Sequence, residues 1–251
     1  MEPSQSVAKA MAILEVIGRH KALTGTKIND LLGLHRSTTY RLLDTLRQLK
    51  YVRKDEYSGL FVLTPKILKL ASAVTERQDI SAAARPFLEQ LHDKTQETVH
   101  LAILDERELV YLDKLESTRN LRVVMSSQKG LHAPLYCTGI GKILLAWMDD
   151  ADFEEYLGST VFTKFTDYTL TDAEAIRREV EEIRIRGYAL DREEHELGVF
   201  CVAAPIKGAR GRVAAALSVS LPSVRLEGET RRDDLIRVTV GAADAISGIL
   251  S

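Results

Sequence analysis

The sequence predicts an α+β protein of two domains, and three observations support this prediction. The chain has 251 residues, and one domain usually takes about 100 to 200 residues. Residues 1–64 show apolar helical stripes followed by two short β segments. Residues 80–251 alternate helices with β segments that pair as hairpins. Helices that bracket hairpin-linked strands indicate an antiparallel sheet, and therefore the α+β class.

The first domain, residues 1–64, is predicted to contain a helix-turn-helix. Residues 26–49 read TKINDLLGLHRSTTYRLLDTLRQL: a short apolar helix, a turn at Gly33, and a second helix with leucines at helical spacing. Arg, Ser and Thr occupy the other side of this second helix, as in a recognition helix. An earlier helical stripe would complete a three-helix core; its members are Val7, Ala10, Met11, Leu14 and Ile17.

A β-hairpin is predicted directly after the second helix. Residues 51–53 and 60–63 read as two short strands, and residues 55–59 between them are rich in turn formers. A hairpin at this place is the wing of a winged helix, and Lys54 and Tyr57 at its tip could reach a phosphate or the minor groove.

The charge distribution favours DNA as the partner of this domain. Residues 1–76 hold 12 Lys and Arg against 7 Asp and Glu, whereas residues 77–251 hold 22 against 29. A helical hairpin whose polar side is merely solvated would also have charged residues outside. A basic N-terminal part followed by an acidic rest of the chain, however, favours contact between the N-terminal part and DNA phosphates. The residues expected to contact double-stranded operator DNA are Lys27, Arg36, Ser37, Thr38, Thr39, Arg41, Lys54 and Tyr57.

Residues 65–79 are predicted to form a linker helix that starts after Pro65, and residues 80–251 form the second domain. There, a helix at about 81–95 precedes a hairpin of residues 98–104 and 109–115, and residues 121–125 form a third strand. Residues 140–148 form a buried helix, and Thr171 to Glu174 a capping box for a helix that ends near Gly187. Strands at 200–206 and 213–221 and an amphipathic helix at 226–250 complete the domain.

Four blocks of this sequence resemble the IclR family of transcriptional regulators. They are GLHRSTTYRLL at residues 33–43, GLHAPLYCTGIGKILLA at 130–146, GYALDREEHELGVFCVAAPI at 187–206 and ALSVS at 216–220. The resemblance spans essentially the whole chain. It implies a winged helix-turn-helix head, a linker helix and a GAF-like effector-binding domain that also oligomerises, giving a homodimer or a dimer of dimers.

The same resemblance implies a ligand-responsive regulator that senses a small carboxylate such as a keto acid, a sugar acid or an aromatic acid. We expect the protein to repress transcription, and activation of a catabolic operon is the alternative. Positions that match the family's effector contacts are Gly139, Ile140, Asp191, Cys201, Ser218 and Ser220.

The residues themselves support part of this assignment. Backbone N–H groups of Gly139 and Ile140, at the start of a helix, can seat a carboxylate. Ser218 and Ser220 share one face of a strand and need hydrogen-bond partners, which a ligand or neighbouring backbone groups could provide. Tyr136 stands where many family members have histidine, which leaves the ligand class open.

Other functions receive less support from the sequence. Cys201, His195 and Asp191 could be imagined as a hydrolase triad, but they lie within eleven residues and Cys201 sits in an apolar run. We therefore expect no enzyme activity, and no cofactor or metal site, since the two cysteines and six histidines are scattered. Residues 1–6 lack the apolar run of a signal peptide and no membrane span is present, so a cytoplasmic protein is expected.

Overall fold

The computed structural model describes residues 4–71, 75–120, 127–226 and 228–250. The chain divides into two compact units, residues 1–75 and 76–251. The first unit combines a bundle of helices with a two-stranded hairpin. Within the described residues, the second unit combines a six-stranded antiparallel sheet with helices. The prediction of an α+β fold with an N-terminal winged helix-turn-helix is thus confirmed.

Three helices form the core of the first unit: α1 (Gln5–His20), α2 (Gly25–Leu32) and α3 (Arg36–Gln48). The side chain of Thr24 caps α2 by accepting from the Lys27 N–H at 3.2 Å. Gly33 ends α2 with φ at 61°, a left-handed conformation in which glycine carries no steric penalty. Fully buried apolar side chains from each helix meet at the centre; they are Ile13, Ile17, Ile28 and Leu43. Of the stripe predicted on α1, Val7 and Met11 are instead exposed.

The hairpin that follows α3 consists of β1 (Val52–Lys54) and β2 (Phe61–Leu63), paired antiparallel. Val52 and Phe61 are buried against the helices. At the tip, one oxygen of Asp55 accepts the N–H groups of Tyr57 and Ser58, at 3.2 and 2.8 Å. These bonds hold the turn with the Tyr57 side chain pointing fully into solvent.

The sheet of the second unit contains β3 (Thr98–Asp105), β4 (Glu108–Leu115), β5 (His132–Ala133), β6 (Ala189–Arg192), β7 (Val199–Lys207) and β8 (Val213–Pro222). Its strand order is β5-β4-β3-β8-β7-β6, and every neighbouring pair is antiparallel. Because side chains alternate along a strand, β3, β4, β6, β7 and β8 each contribute to two separate cores.

Helices cover both faces of this sheet. One face packs against α5 (Thr75–Thr95) and α9 (Gly228–Leu250) through Val, Leu and Ile side chains. The other face packs against α6 (Gly139–Ala146), with α7 (Asp150–Ser159) and α8 (Ala173–Arg186) outside it. On that second face the strands carry alanines that let α6 approach closely; they are Ala102, Ala189, Ala203 and Ala216.

Several elements differ from the sequence prediction. The helix expected at about 81–95 begins at Thr75, after α4 (Lys66–Ala71). The predicted strand at 121–125 lies outside the described residues. The capping box at Thr171 is wrong: Asp172 is the N-cap, and its side chain accepts from Ala175 N–H at 2.9 Å. The strands β5 and β6 were missed, because strands of two and four residues leave little periodic signal. The ten-residue helix α7 was also missed.

Candidate DNA-binding surface and effector site

The outer side of α3 presents basic and hydroxyl side chains to solvent. Arg36, Ser37 and Arg41 are exposed and Thr38 is half-buried. The Arg36 guanidinium lies 5.7 Å from the centre of the Tyr40 ring, a contact that orients it along the helix. The opposite side of α3 packs into the core, so the helix is held with this polar side outward.

Thr39 is a correction to the predicted DNA contacts. Its side chain is fully buried, and its hydroxyl donates to the carbonyl of His35 at 3.4 Å. It lies three residues before Leu42, and residues three apart share one side of a helix. Thr39 therefore belongs to the core side of α3, and its side chain cannot reach a DNA base.

The other predicted DNA contacts are accessible. Lys27 at the start of α2 is exposed, as are Lys54 and Tyr57 of the hairpin. The Lys54 ammonium lies 5.8 Å from the centre of the ring of Phe61, its cross-strand partner. These three side chains are free to meet phosphates.

A band of polar side chains crosses the α6-facing side of the sheet. Two neighbouring rows of cross-strand partners form it. In one row Asp191 lies opposite Cys201, Cys201 opposite Ser220 and Ser220 opposite Thr98. In the next row Ser218 lies between Ala203 and His100. The polar members of both rows are buried.

The start of α6 lies directly on this band. A Cβ atom on Gly139 would lie 3.5 Å from Cys201 Cβ and 3.8 Å from Asp191 Cβ. The Thr138 side chain caps the helix by accepting from Gly141 N–H at 3.1 Å. In the described parts of the chain, the N–H groups of Gly139 and Ile140 have no such acceptor. The predicted effector residues thus come together where the helix start meets the polar strands.

A chain of hydrogen bonds links the polar band. The Cys201 thiol donates to Ser220 Oγ at 3.0 Å. Ser220 Oγ lies 3.5 Å from His100 Nδ1, and His100 Nε2 lies 2.8 Å from Ser127 Oγ. The sequence analysis missed His100, although the signal used for the serines was present: a polar residue inside an apolar strand.

Burial sets the charge of these groups. Burial, and then the charge of Lys114, lowers the pKa of His100 to about 3, so the imidazole is neutral. Burial, and then the charge of Glu194, raises the pKa of Asp191 to about 7. Burial, and then the charge of Asp191, raises the pKa of the Cys201 thiol well above its ordinary value. Near neutral pH, His100 and Cys201 are therefore uncharged and Asp191 is about half ionised.

Behind the band lies a buried ion network. Lys142 of α6 is 1% exposed, and its ammonium lies 2.6 Å from Glu194 Oε1 and 3.3 Å from Glu179 Oε1. Arg186 also pairs with Glu179, at 2.7 Å. The Glu194 N–H donates to Asp191 Oδ1 at 2.8 Å, which joins the network to the polar band.

Sequence profiles of two domains match this chain. The profile described as the IclR helix-turn-helix domain matches residues 6–56. The profile described as the bacterial transcriptional regulator IclR C-terminal domain matches residues 72–248, more than half of the chain.

The chain belongs to the IclR family.

Individual relatives support this membership along nearly the full length. The HTH-type transcriptional regulator KdgR of Escherichia coli is 35% identical over 242 residues, which cover 96% of this chain and 91% of that protein. The DNA-binding transcriptional repressor YiaJ of the same organism is 32% identical over 250 residues, covering 98% and 88%.

A solved structure shows the same fold. It is an IclR homolog from Microbacterium hydrocarbonoxydans complexed with 4-hydroxybenzoate, with a TM-score of 0.81 and 24% identity over 98% of this chain and 99% of that chain. As an IclR-family member, this chain is a DNA-binding transcriptional regulator and not an enzyme.

The site geometry agrees with the absence of a cysteine nucleophile. The Cys201 thiol is protonated and donates to Ser220, and the His195 ring packs on Phe165 with ring centres 5.0 Å apart. No histidine, cysteine or carboxylate group within residues 4–71, 75–120, 127–226 and 228–250 is arranged to hold a metal ion. No helix in the described residues is long and apolar enough to cross a membrane.

Tyr136, the departure from the family pattern, is held by the backbone of Thr163. Its hydroxyl donates to the Thr163 carbonyl and accepts from the Thr163 N–H, both at 2.8 Å. Its ring packs edge-on against Phe162 at 5.1 Å. Both hydrogen-bonding functions of the hydroxyl are therefore engaged by the protein itself.

Proposed function

We propose that this regulator is a repressor that binds operator DNA through α3 and the hairpin wing and senses a small carboxylate in the site under α6. The buried polar band is the observation that carries the proposal. Burying polar groups costs free energy unless they form hydrogen bonds. A row of buried polar side chains beneath the start of a helix is therefore better explained by the binding of a polar ligand than by core packing.

The chemistry of the site fits a carboxylate with further polar groups. The N–H groups of Gly139 and Ile140 can donate to the carboxylate oxygens, and the positive end of the α6 dipole favours the negative charge. Ser218, Ser220 and the neutral His100 can bond hydroxyl or carbonyl groups on the rest of the molecule. Keto acids, sugar acids and hydroxylated aromatic acids all have this composition, and the homolog from M. hydrocarbonoxydans was crystallised with 4-hydroxybenzoate.

A homodimer or a dimer of dimers is part of the proposal. Apolar side chains remain exposed in the first unit of the single chain: Val7 and Met11 on α1, and Leu68 and Leu70 on α4. A second copy could cover them, and a dimer would read a two-fold symmetric operator. Sedimentation of the full chain measures the assembly, and a monomer at micromolar concentration would contradict it.

The ligand class is tested by thermal shift of the full chain with pyruvate, D-gluconate and 4-hydroxybenzoate. A ligand that binds only the folded state raises the melting temperature by an amount set by its concentration over its dissociation constant. The variant Ser220→Ala should lose one hydrogen bond, about 0.5–1.5 kcal/mol of ligand affinity, with operator affinity unchanged in the absence of ligand. The matched control is Ser159→Ala, an exposed serine on α7.

Equal ligand affinity of Ser220→Ala and Ser159→Ala would remove Ser220 from the site. No melting shift with any of the three acids would overturn the carboxylate proposal.

The relative YiaJ of E. coli is a DNA-binding transcriptional repressor, which favours repression. Deletion of the gene tests it directly. Transcripts from promoters that the purified protein binds should rise in the deletion strain if it represses, and fall if it activates a catabolic operon.

A further inference from the structure

We propose that Asp191 is protonated when a carboxylate effector occupies the site, so that effector binding takes up one proton from solvent. In this form Asp191 donates a hydrogen bond to the effector and selects for an anion that can accept it. The inference rests on the proposed function, since it requires an anionic effector at this site.

The position of Asp191 places its carboxyl where the ligand charge would be. It is 3% exposed, lies opposite Cys201 and faces the start of α6 at Gly139. One oxygen, Oδ1, accepts the N–H of Glu194 at 2.8 Å. The same helix start offers the N–H donors of Gly139 and Ile140 to the effector, so the two carboxyl groups would be neighbours.

Among the described residues, the surroundings of Asp191 offer no spare positive charge for a second anion. Lys142 of α6 is the cation that acts on Asp191, but its ammonium is already shared by Glu194 and Glu179. Arg186 of α8 pairs with Glu179. Glu194, Glu179 and, at 3.7 Å from Arg186, Glu182 already match these two cations. An ionised Asp191 is therefore excess negative charge in this cluster.

The other titratable groups facing Asp191 are neutral or negative. The loop after β6 contributes Glu194, His195 and Glu196, the strands β4 and β7 contribute Tyr111 and Cys201, and Cys137 precedes α6. Burial lowers the pKa of both His100 and His195, so neither ring adds a positive charge at neutral pH. A bound carboxylate beside an ionised Asp191 would thus be repelled in a site shielded from water.

Protonation removes this repulsion and creates a donor. The pKa of Asp191 in the free protein is already raised to about 7, mainly by burial and then by Glu194. A neighbouring anion raises it further. Near pH 8 most of the free protein must therefore gain a proton on binding, and above about pH 7 the dissociation constant should rise about tenfold per pH unit.

The test is isothermal titration calorimetry of the full chain with pyruvate, D-gluconate and 4-hydroxybenzoate near pH 8. Phosphate and Tris buffers have different ionisation enthalpies, so their difference in observed heat counts the protons taken up. For each acid that binds, we expect an uptake close to one proton. The variant Asp191→Asn should show no uptake, a dissociation constant independent of pH, and binding near pH 8 at least as tight as the wild type.

A matched control is Glu108→Gln, which removes an exposed carboxylate at the start of β4 and should keep the proton uptake. Equal heats in both buffers for the wild type, with an affinity constant from about pH 6 to 9, would overturn the inference while leaving a carboxylate site intact. An Asp191→Asn variant weakened equally at every pH would also overturn it, because Asp191 would then act as an ionised acceptor. Failure of all three acids to bind at any pH overturns the proposed effector class itself, and this inference with it.

Discussion

The exposure of each side chain on α3 separates the positions that could contact DNA from the positions that belong to the core. Arg36 and Arg41 are exposed, whereas Thr39, between them, is fully buried. A helix advances about 100° per residue, so neighbours in sequence fall on different sides. Few side chains of α3 are therefore placed to reach a base edge, and we expect Arg41 to be one of them.

Arg41→Ala should weaken operator binding by about 1–3 kcal/mol and relax specificity at one base pair, because an arginine that pairs with guanine makes two hydrogen bonds to it. Gel-shift titrations with the natural operator and single-base variants measure both effects. The control is Arg19→Ala, which removes the same charge from the exposed side of α1. Wild-type affinity of the Arg41 variant would show that another side chain reads the DNA.

At the scale of elements, the wing is a small hairpin whose tip is organised by Asp55. Lys54 precedes the turn and is exposed. Phosphate contacts position a protein on DNA without specifying sequence.

Lys54→Ala should therefore weaken binding to all DNA sequences about equally. The slope of log affinity against log salt should flatten by about 0.9 for each phosphate that a head no longer neutralises. Fluorescence anisotropy over a salt series measures it, and Lys94→Ala, an exposed lysine of the second unit, is the control. An unchanged slope would mean that the wing stays away from the phosphates.

The helix α6 depends on close backbone contact at its first turn. A Cβ atom on Gly141 would lie 2.3 Å from the carbonyl oxygen of Leu135 and 2.5 Å from Thr138 Oγ1. Both atoms belong to the turn that positions Gly139 over the polar band, so a shift of α6 would disturb the proposed effector site.

Gly141→Ala should destabilise the second unit by about 1–3 kcal/mol, as overpacking does. Gly158→Ala is the control, because a Cβ there meets nothing within 4 Å, and alanine in a helix should stabilise by up to about 1 kcal/mol. Urea unfolding followed by fluorescence of Trp147, the single tryptophan, reports on this unit. Equal stability of the two variants would contradict the close approach at Gly141.

At the scale of the whole molecule, His100 and Asp191 make opposite contributions to stability as pH changes. The pKa of His100 is lowered from 6.5 to about 3 in the folded protein, so the unfolded chain binds more protons between these values. Its contribution to the free energy of unfolding is lost as pH falls from 6.5 toward 3. The pKa of Asp191 is raised from 3.8 to about 7, so its contribution is lost as pH rises through that range.

Removing either group should expose the pH dependence of the other. In Asp191→Asn the free energy of unfolding should fall as pH decreases below 6.5. In His100→Gln it should fall as pH increases from about 4 to 7, by an amount on the order of a few kcal/mol. Urea titrations at a series of pH values measure both slopes, and His20→Gln, an exposed histidine of α1, should behave as the wild type. Parallel pH profiles for all four proteins would contradict these assignments.

Sequence patterns among neighbouring residues determined much of the fold. Helical spacing of leucines and the glycine at position 33 predicted the helix-turn-helix. Short strand-like segments separated by turns predicted the central strands at residues 98–104, 109–115, 200–206 and 213–221. These signals depend only on neighbours along the chain. The expected effector contacts came from the family resemblance, and the structure places five of them close together: Gly139, Asp191, Cys201, Ser218 and Ser220.

Only the tertiary structure decided which polar residues are buried and what surrounds them. Thr39 faces the core although its neighbours face solvent, and His100 joins the polar band through Ser220, which is 120 residues away in the sequence. The pairing of Lys142 with Glu194, 52 residues away, likewise has no local signal. Burial and long-range pairing depend on which strands and helices become neighbours, and a charge or a proton affinity is set by those neighbours rather than by the residue alone.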